Sequence, residues 1–457
     1  PGIYRPPQEG GKNWQNNSPL QLILGGYLLI ILTGTLLLAL PAATKGPGGT
    51  PLSDCFFTAT SATCVTGLIR FDTYTHWTLL GQLVILGLIQ IGGIGFMTVA
   101  ILVMVFTRRK IGLSQRSLMQ NSISAPQIGG IVKMAKFIAL GTALIELTGA
   151  VLLSFSFIPR FGWAKGIYFS VFHAISAFCN AGFDLMGGVT GECSSLVGMT
   201  GNWYVCMVIM LLIFIGGLGF FVWHDLGARR FRFRYLNLQS KMVLAVSAGL
   251  VIAGTLAILF LEWGGPLYAE LSGGQRVLAS LFQSVSVRTA GFNTVDLAGM
   301  TEGALFVMIC LMMIGGSTGS TAGGIKTTTF WILCISIFAT FRRKKNIEVF
   351  GRRMEEGITR TASCVFMTYL LLSVTVSVVI SAVENIPLLT ALFESVSAVA
   401  TVGLTLGITP GVGMVSKLLL AFLMLCGRVG SITMLLAFSS EKRVTNSRLP
   451  LEKVQVG

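Results

Sequence analysis

Charge is what this chain of 457 residues has least of: 11% of its residues are Asp, Glu, Lys or Arg, and only 18 are acidic. Histidine is scarcer still. His76, His173 and His224 are too far apart in sequence to form a ligand cluster. The nine cysteines (Cys55, Cys64, Cys179, Cys193, Cys206, Cys310, Cys334, Cys364, Cys426) contain no CxxC pair, and most fall in apolar stretches where a thiol behaves as a small hydrophobe. A disulfide framework and a metal centre are both excluded as organising principles. A soluble enzyme is an equally poor fit, because 53% of the residues are hydrophobic and the mean hydropathy is +0.77.

What is abundant is apolar sequence in runs long enough to cross a bilayer, at residues 18–40, 78–106, 131–158, 203–225, 241–262, 304–340, 361–382 and 413–438. The first run, Leu20 to Leu40, has no convincing signal cleavage site and is expected to remain as a span. Eight spans place both termini on one side. Twenty-four of the 33 lysines and arginines fall on that side, in residues 1–12, 107–117, 133–136, 228–241, 341–360 and 442–453. The positive-inside rule makes it the cytoplasm of a cell membrane. The net charge of +15 is thereby a matter of topology, and no nucleic-acid partner is needed to explain it.

On the other side the chain repeats itself. FFTATSATCVTGL, VFHAISAFCNAGF, LFQSVSVRTAGF and LFESVSAVATVGL each end in a glycine followed by a hydrophobe, and the glycines, Gly67, Gly182, Gly291 and Gly403, are 115, 109 and 112 residues apart. A period near 110 means one unit of span, short re-entrant segment and span, written four times. The fold class expected is an all-α integral membrane protein whose four repeats surround a pseudo-fourfold pore. The divisions are residues 18–117, 118–240, 241–360 and 361–440, flanked by cytoplasmic segments 1–17 and 441–457.

Segments too short to cross a core of ~30 Å are expected to enter and return. Irregular backbone at that depth must line a pathway or be buried in protein. Four such strands offer rings of carbonyl oxygens that can replace a cation's water shell. They are Thr63, Cys64, Val65, Thr66 and Gly67; Phe178, Cys179, Asn180, Ala181 and Gly182; Val287, Arg288, Thr289, Ala290 and Gly291; and Val399, Ala400, Thr401, Val402 and Gly403. None contains a carboxylate, which points to a monovalent ion. Asp72, Asp184 and Asp296, just beyond three of the glycines, are expected to make the outer mouth attractive to cations.

The second span of each repeat carries a quartet: GGIG at 92–95, GGLG at 216–219, GGST at 315–318 and GRVG at 427–430. Close helix packing is the expectation for the first two. The third opens a stretch, Gly315, Gly316, Ser317, Thr318, Gly319, Ser320, Thr321, Ala322, Gly323 and Gly324, that cannot sustain a helix and whose hydroxyls need polar surroundings. It is expected to be a mobile gate beneath the filter, held by Arg428, an arginine too central in its span to reach an interface. Lys326 is expected either to snorkel inward or to touch the loop. GSTAGGIKT superficially resembles a phosphate-binding loop, but Ile325 separates Gly324 from Lys326 and no preceding β-strand of a soluble α/β core is present. Glu394 and Arg288 are expected to brace filter strands. Glu146, in mid-span, is either a structural hydrogen-bonding group or a coupling-ion site. An alternating-access carrier is the other transport class, but two-span repeats keep one orientation, and that favours a pore.

GGSTGSTAGGIKTTT, SAFCNAGFD, SVRTAGFNT and ATVGLTLGITP together resemble the Trk/Ktr/HKT superfamily of potassium transporters, over the whole chain, and most of all the membrane subunit of bacterial Ktr systems. The resemblance implies potassium as substrate, with sodium activation a possible addition, and a homodimer in the lipid bilayer seated on a cytosolic ring of nucleotide-binding regulatory subunits. It also implies filter glycines at Gly67, Gly182, Gly291 and Gly403, a gating loop at Gly315 to Gly324 and a pore arginine at Arg428. Members often have glycine before the Thr-Val-Gly of the fourth repeat, where this chain has Ala400.

Overall fold

The computed structural model describes residues 19–95, 98–99, 131–344, 347–355 and 357–430. One pattern recurs through it. A long helix comes first: α1 (Pro19–Leu38), α4 (Ile131–Phe161), α8 (Leu238–Glu262) and α12 (Ile358–Glu384). A short helix follows: α2 (Leu52–Cys64), α5 (Trp163–Phe178), α9 (Gly273–Ser286) and α13 (Leu388–Val399). A non-helical strand then leads to the second helix of the unit: α3 (Leu79–Ile94), α6 (Trp203–Leu218), α10 (Glu302–Met313) and α14 (Met414–Val429). Two continuations are seen, α7 (Phe220–Ala228) and α11 (Thr327–Phe341). A two-stranded hairpin, β1 (Glu348–Val349) and β2 (Arg352–Arg353), precedes α12.

Burial separates the two kinds of helix. The long helices carry exposed apolar stripes at helical spacing: Leu29, Leu32 and Leu36 on α1; Leu140, Leu144 and Leu147 on α4; Ile252, Leu256 and Phe260 on α8; Leu371, Val374 and Val378 on α12. Phe260 is 83% exposed. Continuous apolar faces of this kind are untenable in water and fit hydrocarbon. The short helices are the reverse. From Asp54 to Cys64 every residue but Phe56 is buried although four are Ser or Thr, because they are walled in by the surrounding helices.

Eight spans are not what helix length and composition alone give. Four helices are long and apolar enough to cross a membrane, or five if α6 and α7, bent by 92°, form one. The second helix of each repeat stops early, and in the second and third repeats it resumes after a break. α3 ends at Gly95, α6 turns at Gly219, α10 stops at Met313 and resumes as α11, and α14 ends at Gly430. The terminal segments 1–17 and 441–457 and the basic stretch 107–117 lie outside the described residues.

The apolar core lies between repeats rather than within them. One cluster joins the first, second and third (Ile85, Phe172, Phe282), another the third and fourth (Met308, Phe393), and another the fourth and first (Leu420, Phe57). The first and last repeats are neighbours, and the four units close a ring.

Candidate functional site: a ring of four strands

Each short helix stops where its strand begins, and the stop is chemical. A buried serine near its C-terminus reaches past the strand to the backbone around the glycine. Ser61 and Ser397 accept through Oγ from the N–H of Gly67 and Gly403, both at 3.1 Å. Ser176 and Ser286 donate instead to the carbonyls of Phe183, at 2.6 Å, and Phe292. The strand is thus folded back against its own helix in all four repeats. The signal, a serine five or six residues before each glycine, is present in the sequence and was missed.

The four glycines meet. A Cβ on Gly67 would lie 2.5 Å from the Ala181 carbonyl oxygen, one on Gly182 2.8 Å from that of Ala290, one on Gly291 2.6 Å from that of Val402, and one on Gly403 2.0 Å from that of Thr66. Each glycine therefore rests on the strand of the next repeat, and the last rests on the first. No side chain fits at any of them. All four have positive φ (94°, 71°, 80° and 89°), and so do Val65, Asn180, Thr289 and Thr401, two residues earlier in each strand (57°, 59°, 70° and 52°). Three of those four are β-branched, for which this region is costly. Their repetition at one position shows that the ring geometry imposes it.

Behind the strands, the first glycine of three quartets admits a strand carbonyl. A Cβ on Gly92, Gly216 or Gly427 would meet the carbonyl oxygen of Thr63, Phe178 or Val399 at 2.0–2.1 Å. The fourth glycine, Gly95, Gly219 or Gly430, has φ of 88–94° and ends its helix. The quartets are therefore seats for the strands and helix breaks, which corrects the expectation of helix–helix packing at the first two.

The glycines open on a cavity of about 390 Å³ that is lined also by Asp184, Glu192 and Asp296. Glu192 was not anticipated there. Asp72 is not part of the lining. It is buried and accepts from the N–H groups of Tyr74, Thr75 and Cys193, so it shapes the rim without facing the cavity. Asp184 accepts from Met186 N–H at 2.8 Å. Burial pushes its carboxyl up to about 7; the Met186 N–H opposes that rise and the Asp72 charge adds to it.

At the opposite end of the strands sits the glycine-rich segment between α10 and α11. Gly315 N–H donates to Ile325 O at 2.8 Å, so the segment closes on itself. It touches the second and fourth repeats directly and is linked to the first through Arg428. Ser317 N–H donates to Gly217 O at 3.0 Å and Thr321 Oγ1 to Phe178 O at 3.2 Å in the second. Gly323 lies against Thr401 in the fourth, where a Cβ would stand 2.2 Å from Thr401 Oγ1. Arg428 donates to Thr321 O in the loop, and to Gly92 O and, at 3.2 Å, to Gly93 O in the first repeat. No loop hydroxyl is among its partners. Lys326 turns back on the loop, its Nζ donating to Ala322 O at 2.7 Å.

Glu394 accepts from Thr405 Oγ1 (2.5 Å), Leu406 N–H (3.0 Å) and Thr409 Oγ1 (2.8 Å), holding the chain just past Gly403. The Arg288 guanidinium is buried and donates to Ser247 O and Oγ on α8, at 3.3 and 3.1 Å. The hydroxyls of Thr63, Thr66 and Thr401, buried in the strands, have no hydrogen-bond partner among the described residues. Among those residues, too, no group of three or more His, Cys, Asp or Glu could hold a metal ion.

A helical chain with lipid-suited outer faces, whose four repeats converge on side-chain-free backbone, belongs to the class of membrane transport proteins. The comparisons agree. The TrkH family, described as cation transport protein, matches residues 35–446, and the chain belongs to it; it is a transporter and not an enzyme. It is 41% identical over 446 residues to the potassium/sodium uptake protein NtpJ of Enterococcus hirae, covering 96% of this chain and 97% of that one. It is 39% identical to the Ktr system potassium uptake protein B of Bacillus subtilis, covering 97% and 98%. The crystal structure of the potassium transporter TrkH from Vibrio parahaemolyticus shares the fold, with a TM-score of 0.73 at 17% identity over 93% of this chain and 86% of that one.

Proposed function

We propose that the protein takes up potassium across the cell membrane through the ring of four strands. The observation that carries this reading is the closure of the ring, each glycine seated on the carbonyl-bearing strand of the next repeat. Left-handed residues at alternate positions of a short strand turn successive carbonyls the same way, and four strands so turned make stacked oxygen rings for a dehydrated cation. The unpartnered Thr63, Thr66 and Thr401 hydroxyls add polar groups suited to an ion or its water. The acids around the outer cavity concentrate cations there. The names of the relatives, potassium uptake and potassium/sodium uptake, supply the ion class.

In this reading the chain crosses the bilayer eight times, with both termini in the cytoplasm. The segment from Gly315 to Gly324 is the gate: it lies at the inner end of the strands, and Arg428 pins it to the first repeat. Arginine suits the task because its rigid fork of donors stays charged and repels a cation while the gate is shut. Two protomers form a dimer on a cytosolic ring of nucleotide-binding subunits. The exposed Arg342, Arg343, Lys344, Arg352 and Arg353 around the β1–β2 hairpin are the docking charges. Rubidium and sodium flux measured with the purified protein in proteoliposomes tests the whole proposal. Rubidium flux well above sodium flux supports it, and flux of neither ion removes it.

A further inference from the structure

The third residue before each ring glycine points away from its neighbours in the ring and into the wall behind: Cys64, Cys179, Arg288 and Ala400, all buried. The wall at that level is built by the long helices. Counting fifteen residues back from the last residue of each gives Ile23 on α1, Glu146 on α4, Ser247 on α8 and Tyr369 on α12. Two of these four touch the strand residue of their own repeat by hydrogen bonds, Ser247 to Arg288 and Glu146 to Cys179. A third, Ile23, packs in one apolar cluster with Cys64. In the second and third repeats the position is thus a polar contact between helix and strand, in the first it lies in an apolar cluster, and in the fourth Tyr369 donates instead to Gly427 O.

The second repeat has an acid there, and it is tied to two partners that also meet each other. Glu146 Oε2 accepts from Gln90 Nε2 on α3 of the first repeat at 2.9 Å, and its Oε1 accepts from the Cys179 thiol at 3.7 Å. Gln90 Oε1 lies 3.8 Å from the same sulfur. Gly93 lies against the same thiol: a Cβ there would stand 2.5 Å from Cys179 Sγ. Among the described residues, no cation lies within salt-bridge distance of Glu146. The residues matching Gln90, two before the quartet, are Phe214, Met313 and Leu425 in the other repeats. Apolar groups serve the fold at that position, so the polar pair between the first and second repeats answers some other need.

We infer that Glu146 is a specificity-determining positioning residue: through hydrogen bonding rather than charge, it and Gln90 fix the Cys179 end of the second strand, and so the width of the ring between the first and second repeats. The inference rests on the reading of the strands as an ion filter. A buried acceptor that loses its donors, or a donor that loses its acceptor, moves to find another, and the strand carrying Cys179 is the movable part. A carboxamide at position 146 still offers an oxygen to the thiol, and Gln90 can rotate its amide to complete the triad; alanine or leucine offers nothing.

The test is the ratio of rubidium to sodium flux through the full-length protein in proteoliposomes, measured for Glu146→Gln, Glu146→Ala, Cys179→Ala and the double Ala variant, with Gly182→Ser alongside. Glu146→Ala and Cys179→Ala are each expected to lower the ratio by about tenfold, the double variant by no more than either alone, and Glu146→Gln to stay within about twofold of the unaltered protein. Should Glu146→Ala not assemble, Glu146→Leu, which fills the space without an acceptor, carries the same expectation. A Glu146→Gln ratio as low as that of Glu146→Ala means the charge matters and overturns the inference. An unchanged ratio in the Ala variants while Gly182→Ser lowers it also overturns the inference but leaves the filter standing; if Gly182→Ser changes nothing either, the filter reading itself fails.

Discussion

The sharpest consequence of the ring concerns Gly403. Replacing it with serine puts a Cβ 2.0 Å from the Thr66 carbonyl oxygen and 2.9 Å from Gly67 Cα, at a backbone φ of 89°. Ordinary carbon–oxygen contact needs about 3.4 Å, so the first strand must retreat by about 1.4 Å or the fourth must turn away. The conformation alone costs an L-residue ~1–3 kcal/mol, and this cost can be relieved only by moving backbone that lines the ring. Discrimination between two cations of equal charge depends on a few kcal/mol of coordination energy, and each 1.4 kcal/mol lost is about a factor of ten. Gly403→Ser is therefore expected to lower the rubidium-to-sodium flux ratio at least about tenfold. Gly182→Ser, whose Cβ would keep 2.8 Å from its nearest carbonyl oxygen, should lower it less, with Gly67→Ser and Gly291→Ser between. Paired flux measurements in proteoliposomes, normalised to protein inserted, read the series directly. Unchanged uptake and selectivity in all four variants would refute the reasoning, because backbone so tightly opposed cannot line the pathway and remain indifferent to an added side chain.

Three further outcomes follow from the site. Arg428→Ala removes a charge-assisted bond to Thr321 O worth ~1.5–3 kcal/mol, so it should raise rubidium flux and weaken its dependence on the cytosolic partner while largely preserving ion preference; shortening the 315–324 loop should do the same, and a selectivity change without a rate change would mean the segment is not the gate. Charge reversal at Arg342, Arg343, Arg352 and Arg353 should weaken association with a regulatory ring in a pull-down, and the purified chain should bind no nucleotide by calorimetry, since nucleotide binding by the chain alone contradicts a separate regulatory subunit. Asp184, with its carboxyl at about 7, loses its negative charge as the outer pH falls from 8 to 6, so the apparent affinity for rubidium should weaken by about two- to fivefold over that range; Asp184→Asn should flatten the profile, and an unaltered profile in that variant removes Asp184 as the source.

Much of the ring was legible in the sequence because its demands fall on residue type. Only glycine fits where one backbone crosses another at positive φ, so four glycines at a regular period announced four crossings. The loop from Gly315 to Gly324 was legible for a related reason: five glycines and four hydroxyls cannot remain helical inside hydrocarbon. What stayed hidden was geometry that side chains tolerate without advertising. Val65, Asn180, Thr289 and Thr401 share a left-handed conformation that nothing in their chemistry suggests, and three of them are residues that ordinarily avoid it. The quartets misled because a glycine that receives a carbonyl and one that packs against a helix look alike in sequence. Asp72 misled because an acid beside a mouth is equally a capping residue, and the N–H groups of Tyr74 and Thr75 claim it. The second helix of the second repeat misled through length: an apolar run of adequate size does not reveal that it is bent by 92° partway.

A ring in which every member leans on the next has a consequence for how the molecule is made. Gly403 bears on Thr66, so the enclosure cannot be finished until the last repeat has been synthesised and has met the first. Before that moment a growing chain with three repeats has an open flank, where the buried hydroxyls of Thr63 and Thr66 and the apolar wall of Phe57 and Cys64 lack their eventual cover. Contacts between neighbouring repeats can form in the order of translation, but the closing contact spans about three quarters of the sequence, and such long-range pairing is the slow and exposed part of folding. Loss of the fourth repeat through truncation therefore removes more than a quarter of the ring: no closed ring is left.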